Sequence, residues 1–176
     1  MFYKAFLMVV FVSTITFANS SIKNLNSFQS KFIQIVTSSN SKDFIEYKGE
    51  VFIKKSGKIL WKYETPVRKN IYIDNSSVIV DEPDLEQAIF TKLEQEINII
   101  KLLEDSKKIS ENLYKSRLDG VDYEISIKDG KVSLITYKDN LENSIEIRFF
   151  EVINNAFIDD SKFLFVVPKD YDLIRK

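Results

Sequence analysis

The sequence predicts a mainly β protein of the α+β class, in which an antiparallel meander carries one helix across a concave face. Two changes of period predict it. Most segments alternate apolar and polar side chains, as strands with one buried face do. Residues 94–105 instead repeat apolar side chains at a spacing of three, which is typical of an amphipathic helix. A helix between two runs of strands buries its apolar stripe only against the sheet, so the pattern indicates a lidded trough.

The N-terminus is expected to be a secretory signal peptide covering residues 1–20. Lys4 precedes an apolar run that is too short to span a hydrocarbon core of about 30 Å. Small residues allow cleavage after Ala18 or after Ser20. The chain has no cysteine to carry a lipid at a processed N-terminus. We therefore expect a periplasmic protein with one domain, residues 21–176.

The first half of the chain after residue 20 is predicted to form strands separated by turns. A short helix at 21–26 is expected to come first, and Pro66 is expected to end the third strand. The Lys55 to Lys58 stretch and residues 75–77 are hairpin turns, and residues 83–87 form another turn. The predicted strands are 28–36, 44–55, 59–64, 70–74, 78–80 and 88–91.

The predicted helix at 94–105 separates these strands from a second group. Ile97, Ile100 and Leu103 form its apolar stripe, and no glycine or proline interrupts it. The Asp129-Gly130 pair predicts a two-residue hairpin turn further on. The predicted strands of this second half are 112–118, 123–127, 131–137, 144–152 and 162–167.

Composition removes most enzyme classes. Without histidine or cysteine, Ser-His-Asp and Cys-His nucleophile systems and His-ligated zinc are impossible. None of the four glycines lies in a phosphate-cradling loop, and the interleaved charges leave no basic footprint for nucleic acid. The 26 carboxylates keep glycosidase-type and oxygen-ligand metal chemistry formally open. We expect no enzyme, no cofactor and no metal.

Two neighbouring predicted strands resemble a known family. Residues 49–55 and 59–63, followed by Pro66, resemble the signature of the LolA family of outer-membrane lipoprotein carriers. In that signature a Gly-x-Leu-x-x-x-Arg-Pro strand precedes a strand with a central tryptophan. Further matches run along the chain: Phe28, Phe32, Gln34, Asp74, Val78, Pro83, 86–88 and a closing strand at 163–168. The chain departs from the family with Lys55-Ser56 in place of Arg-Pro, and with Ile79 and Asp81 in place of aromatic residues.

The resemblance implies an incomplete antiparallel β-barrel, or half-barrel, with a helical lid over an apolar cavity that takes lipoprotein acyl chains. It also implies an inner-membrane exporter of the LolCDE type as donor, an outer-membrane acceptor of the LolB type where one exists, and a monomer. Strand parity places six of the candidate acyl-chain-binding residues on one face, and the lid supplies three more: Ile53, Ile59, Trp61, Tyr63, Ile71, Ile73, Ile97, Ile100 and Leu103.

Alternatives remain open on the residues alone. Most of these side chains could simply pack a core, and a trough of this kind could instead carry free lipid or glycolipid. A scaffold protein with a dry core is a third possibility. Lys55 in isolation is a solvated turn residue. By family position it resembles a lid latch that donates hydrogen bonds to backbone carbonyls of the lid. A lysine offers one compact donor there instead of the planar fork of an arginine, so we expect a looser lid.

Overall fold

A single open β-sheet of twelve strands forms the protein, whose computed structural model describes residues 22–92 and 98–176. The predicted signal peptide at 1–20 lies outside the described residues. The strands are β1 (Ser27–Thr37), β2 (Phe44–Lys54), β3 (Lys58–Thr65), β4 (Lys69–Asp74), β5 (Ser77–Glu82), β6 (Gln87–Lys92), β7 (Lys107–Lys108), β8 (Leu113–Leu118), β9 (Val121–Lys128), β10 (Lys131–Lys138), β11 (Ser144–Asn154) and β12 (Asp172–Arg175).

Two antiparallel meanders make up this sheet, and β1 joins them. The strand order is β12-β6-β5-β4-β3-β2-β1-β11-β10-β9-β8-β7. Every neighbouring pair is antiparallel except β12 and β6, which run parallel. Among the described residues the sheet does not close, since β12 and β7 lie at its two edges. The prediction of a mainly β protein built on an open antiparallel sheet is confirmed.

The larger of two buried clusters lies on one face of the sheet. Residues that pair across neighbouring strands point to the same face of the sheet. Because side chains alternate along each strand, the apolar residues at every second position all point to this face. Val78 of β5 and Ile127 of β9, seven positions apart in the strand order, belong to the same buried cluster. The sheet is therefore strongly curved, and this concave face encloses the cluster.

One α-helix, α1 (Ile99–Glu104), packs into that cluster. It is shorter than the predicted helix at 94–105, of which residues 94–97 lie outside the described part. The Asn98 side chain accepts a hydrogen bond from the backbone N–H of Lys101 at 3.1 Å. An extended, capping Asn98 starts the helix at Ile99, which the apolar periodicity alone did not indicate. In the chain, α1 lies between β6 and β7, which are near opposite edges of the sheet.

The C-terminal segment covers part of the convex face and corrects the predicted strand at 162–167. Residues Asp160–Phe163 form a 3-10 helix. Phe163 and Ile158 are buried there against Phe52 and Leu60, which explains why apolar alternation occurs without a strand. The chain ends in β12, a parallel edge strand that the sequence did not predict.

Smaller differences occur elsewhere. The described part of the predicted helix at 21–26 forms a turn, with Ile22 and Leu25 in the core cluster. Residues Pro83–Leu85 form a 3-10 turn, and β7 is an additional short strand. Within residues 22–92 and 98–176, no helix is long and apolar enough to cross a membrane.

Candidate functional site

The six candidate residues of β2, β3 and β4 lie on the concave face, as their parity predicts. Ile59 pairs with Ile53 on one side and with Ile73 on the other, and Trp61 pairs with Ile71. Four of the six are buried, with Ile53 fully inaccessible and Trp61 5% exposed. The other two, Tyr63 and Ile71, are half-buried and pack against the same cluster.

The helix covers one end of this face. All four apolar side chains of α1 are buried in the same cluster: Ile99, Ile100, Leu102 and Leu103. Two of them, Ile100 and Leu103, are predicted lid residues, and the third, Ile97, lies outside the described residues. Helix α1 contacts β1, β2 and β8. The concave face therefore has one end that α1 occupies and another that tyrosines line.

Gly49 shapes the middle of the face. A Cβ built on Gly49 would lie 1.8 Å from the carbonyl oxygen of Lys62, at a point where the register of β2 and β3 shifts. The missing side chain leaves room above β2 for rings from β1 and β3 to meet. The ring centroids of Phe32 and Trp61 are 4.9 Å apart, and those of Phe32 and Tyr63 are 5.2 Å apart, both edge-to-face. The glycine of the family signature therefore permits an aromatic cluster.

The end of the face away from α1 carries polar groups, of which the sequence analysis selected Tyr63 but not Tyr47 or Tyr137. The hydroxyl of Tyr63 donates to Oε1 of Gln34 at 3.0 Å. The ring centroids of Tyr47 and Tyr63 are 5.7 Å apart, and those of Tyr137 and Tyr123 are 4.9 Å apart. Strand parity could have predicted these residues. Tyr47 lies on the same face of β2 as Gly49, Val51 and Ile53, and Tyr137 lies on the same face of β10 as Ile135.

Burial controls the ionisation of two of these phenols. It is the main cause that raises the pKa of Tyr63, with a smaller contribution from Tyr47. Burial also raises the pKa of Tyr137, and the phenols of Tyr123 and Tyr63 add to the effect. Both hydroxyls therefore remain protonated, and able to donate hydrogen bonds, beyond the ordinary tyrosine range.

Lys55, the predicted latch, lies just after β2 and reaches α1. Its Nζ is 2.7 Å from Oε1 of Glu104, the last residue of the helix, and the two side chains are 51% and 36% exposed. The resemblance implied hydrogen bonds to backbone carbonyls of the lid, and the contact that the structure provides is an ion pair to a side chain of α1. An exposed pair of this kind contributes about 0.2–1 kcal/mol.

A groove of about 450 Å³ lies across the middle of the sheet, mostly on its convex face. Five of its nine lining residues are charged: Lys31, Lys48, Glu50, Glu64 and Glu151. Apolar ligands favour sites lined mainly by apolar side chains. This groove is therefore less suited to an acyl chain than the concave face is.

The concave face offers mainly apolar contact. In the described ranges, no group of three or more aspartates and glutamates is placed to hold a metal ion. The face instead combines aliphatic side chains near α1, an aromatic cluster at its middle and hydroxyl groups at its far end.

Known sequences resemble this chain along most of its length. The family described as outer membrane lipoprotein carrier protein LolA matches residues 23–122. An outer-membrane lipoprotein carrier protein of Wolinella succinogenes is 35% identical over 160 residues, which are 90% of this chain and 92% of that protein. A protein of the same name from Campylobacter jejuni is 34% identical over 152 residues, which are 86% of this chain and 88% of that protein.

Solved structures share the fold at low sequence identity. An uncharacterised conserved protein of Thermus thermophilus superposes with a TM-score of 0.55 at 10% identity, covering 90% of this chain and 95% of that chain. A LolA superfamily protein of Nitrosomonas europaea gives 0.52 at 13% identity, covering 84% of this chain and 94% of that chain. With the family match over more than half of the sequence, and relatives above 30% identity over most of it, this chain belongs to the LolA family of outer-membrane lipoprotein carrier proteins.

Proposed function

We propose that this protein is a periplasmic chaperone that binds the acyl chains of lipoproteins released from the inner membrane and carries them to the outer membrane. The observation that carries the proposal is the apolar concave face, which continues from the residues under α1 to the half-buried tyrosines. The names of its relatives support the same cargo. In this proposal the acyl chain lies against Ile53, Ile59, Trp61, Tyr63, Ile71 and Ile73, under a lid that includes Ile97, Ile100 and Leu103.

Helix α1 acts in this proposal as an internal substitute for the acyl chain. Its four buried apolar side chains contribute about 1.5–3 kcal/mol each, or about 6–12 kcal/mol together. Burying about fifteen methylenes of an acyl chain at about 0.8 kcal/mol each gives a similar value, on the order of 10 kcal/mol. A ligand that displaces these side chains from the cluster therefore gains little net free energy, and such a balance favours reversible transfer.

The Lys55 to Glu104 ion pair adds a small bias toward the closed arrangement in this proposal. Its contribution of about 0.2–1 kcal/mol changes the ratio of closed to open states by less than about tenfold. A latch of this strength holds the lid against thermal opening without preventing cargo from entering. Lys55 therefore tunes lid closure rather than contacting the acyl chain.

The route of the cargo follows from the same proposal. Residues 1–20 direct the chain to the periplasm and are removed, and residues 21–176 act as one monomeric domain. An inner-membrane ATP-driven exporter of the LolCDE type delivers the lipoprotein, and an outer-membrane acceptor of the LolB type receives it where one is present. The protein uses no cofactor and catalyses no reaction. The alternative of a carrier for free lipid or glycolipid is not favoured, because the matched relatives are named lipoprotein carriers.

Release of lipoproteins from spheroplasts tests the proposal directly. Purified protein lacking residues 1–20 is added to energised spheroplasts, and the soluble fraction is examined for outer-membrane lipoproteins bound to it. We expect a stable complex of the carrier with its cargo. If an established carrier releases lipoproteins in the same preparation and this protein releases none, the proposal is wrong.

A matched pair of variants assigns the activity to the concave face. Ile71 and Ile79 lie on neighbouring strands and are both half-buried, but Ile71 faces the trough and Ile79 faces the convex side. We expect Ile71→Asp to abolish cargo release and the displacement of a fluorescent fatty acid, and Ile79→Asp to preserve both. Equal effects of the two changes, at equal thermal stability, would favour a dry core with no ligand.

A further inference from the structure

The concave face changes its chemistry along the strands. Ladder pairing divides it into rows that run across the sheet, and the row under α1 contains Phe28, Ile53 and Ile59. On the same face of β2, Tyr47 lies three alternate positions beyond Ile53, and the row there contains Tyr47 and its partner Gln34. Six residues of extended strand between Ile53 and Tyr47 cover about 20 Å. The apolar trough is thus about 20 Å long and ends in polar side chains.

We call Gln34, Tyr47, Tyr63 and Tyr137 the polar rim. They belong to four strands, and each residue lies on the concave face by its pairing. All four are half-buried, so each hydroxyl or amide meets apolar neighbours on one side and the opening on the other. Tyr63 of β3 and Tyr137 of β10 pack against the same buried cluster, so the curvature of the sheet brings these two strands to one side of it.

The polar rim has hydrogen-bond donors to spare. Its one hydrogen bond among the described residues joins the hydroxyl of Tyr63 to Oε1 of Gln34. The Nε2 group of Gln34 and the hydroxyls of Tyr47 and Tyr137 have no protein acceptor in the described ranges. Since burial raises the pKa of Tyr137, that hydroxyl keeps its proton. Donors placed where an apolar trough opens suit a ligand that changes from hydrocarbon to acceptor oxygen at that level.

From this juxtaposition we propose that the polar rim binds the ester or amide carbonyl oxygens that link the bound acyl chains to the head of the lipid. The assignment rests on the proposed function and names the part of the cargo that the rim recognises. The length of an acyl chain agrees with the length of the trough. A hydrocarbon core of about 30 Å contains two acyl chains end to end, so one chain covers about 15 Å and fits a trough of about 20 Å. With its methyl end toward α1, such a chain places its first carbonyl among Gln34, Tyr63 and Tyr137.

A pair of ligands that differ only in this carbonyl tests the assignment. The probes are 1-palmitoylglycerol, which has an ester, and 1-hexadecylglycerol, which has an ether, each displacing a fluorescent fatty acid from the purified protein. We expect the ester to bind roughly three- to tenfold more tightly for each hydrogen bond that it accepts. In the double variant Tyr47→Phe with Tyr137→Phe, which removes two of the three spare donors, we expect the ratio of the two affinities to fall toward one.

The control is Tyr72→Phe, which removes a phenol hydroxyl on the convex face, where Tyr72 packs against Phe165. This variant is expected to keep the preference for the ester. Equal binding of ester and ether by the unaltered protein, or a preference that survives the double change, would overturn the assignment while leaving acyl-chain binding intact. Failure of both ligands to bind would instead contradict the proposed function.

Free palmitate distinguishes a carbonyl site from a carboxylate site. The Nζ of Lys69 lies 5.1 Å from the centroid of the Tyr63 ring and could attract an anion. If the rim recognises carbonyl groups, Lys69→Gln leaves the preference for ester over ether unchanged. Tighter binding of palmitate than of the ester, lost in Lys69→Gln, would show a carboxylate site and overturn the assignment.

Discussion

Replacing Gly49 with alanine is expected to destabilise the protein by about 3 kcal/mol or more, although it adds a single methyl group. The added Cβ would lie 1.8 Å from the carbonyl oxygen of Lys62, whereas ordinary contacts begin at 3.4 Å. Strands β2 and β3 must therefore separate locally by about 3.4 − 1.8 = 1.6 Å. Both partners are backbone, so no change of rotamer relieves the overlap.

The magnitude combines two effects. Overpacking a fitted site costs about 1–3 kcal/mol. The separation also weakens neighbouring ladder hydrogen bonds between β2 and β3, each worth about 1 kcal/mol. The same movement disturbs the rings of Phe32, Trp61 and Tyr63, which meet above Gly49.

Urea unfolding followed by tryptophan fluorescence measures the effect, because Trp61 is the one tryptophan of the chain. Gly130→Ala is the matched control. Gly130 has a positive φ of 71° and open space around it, so its replacement costs only about 1 kcal/mol of backbone strain. If the free energy of unfolding falls no further in Gly49→Ala than in Gly130→Ala, the close approach of β2 and β3 at Gly49 is refuted.

Three further outcomes are expected. A double-mutant cycle on Lys55 and Glu104 should give a coupling free energy of about 0.2–1 kcal/mol that disappears in 1 M salt, and a coupling that persists in salt contradicts a surface pair. The substitution Lys55→Arg should increase the hydrogen-exchange protection of α1. Phe163→Ala should lower the free energy of unfolding by about 3 kcal/mol, against a few tenths for exposed Leu164→Ala, since Phe163 is 8% exposed. Burial raises the pKa of Tyr63 above its ordinary 10.0, so stability is full below pH 10 and should fall above it, and Tyr63→Phe should remove part of that fall in urea titrations.

Alternation predicted well which residues share the concave face, because it is a local property. In β3, Ile59, Trp61 and Tyr63 occur at every second position, and a strand places such residues on one face whatever its neighbours are. The pairing partners followed from short hairpins, so the relation of Ile53 to Ile59 was also local. The candidate residues of these strands share one face for that reason.

The C-terminal segment was not predictable in the same way. Phe163 and Phe165 alternate as a strand would, but Phe163 packs on the convex face and Phe165 on Tyr72, contacts that depend on strands about a hundred residues earlier. The parallel pairing of β12 with β6 has no local signal either. The start of α1 was set by the Asn98 cap. Parity selected Tyr63 of the polar rim, but Tyr137 was missed because it comes from the other meander, which only the curved sheet brings to the same cluster.

The pairing of β1 with β11 has a consequence for how the chain folds. Phe28 pairs with Asn154, 126 positions later, so the central seam of the sheet is one of its most non-local contacts. Such pairing raises the contact order and slows folding, because a long loop must close before the contact forms. Until β11 has been synthesised, one side of β1 is an unpaired strand edge of the kind that promotes aggregation. The newly made chain therefore needs protection from association until its last long strand is available.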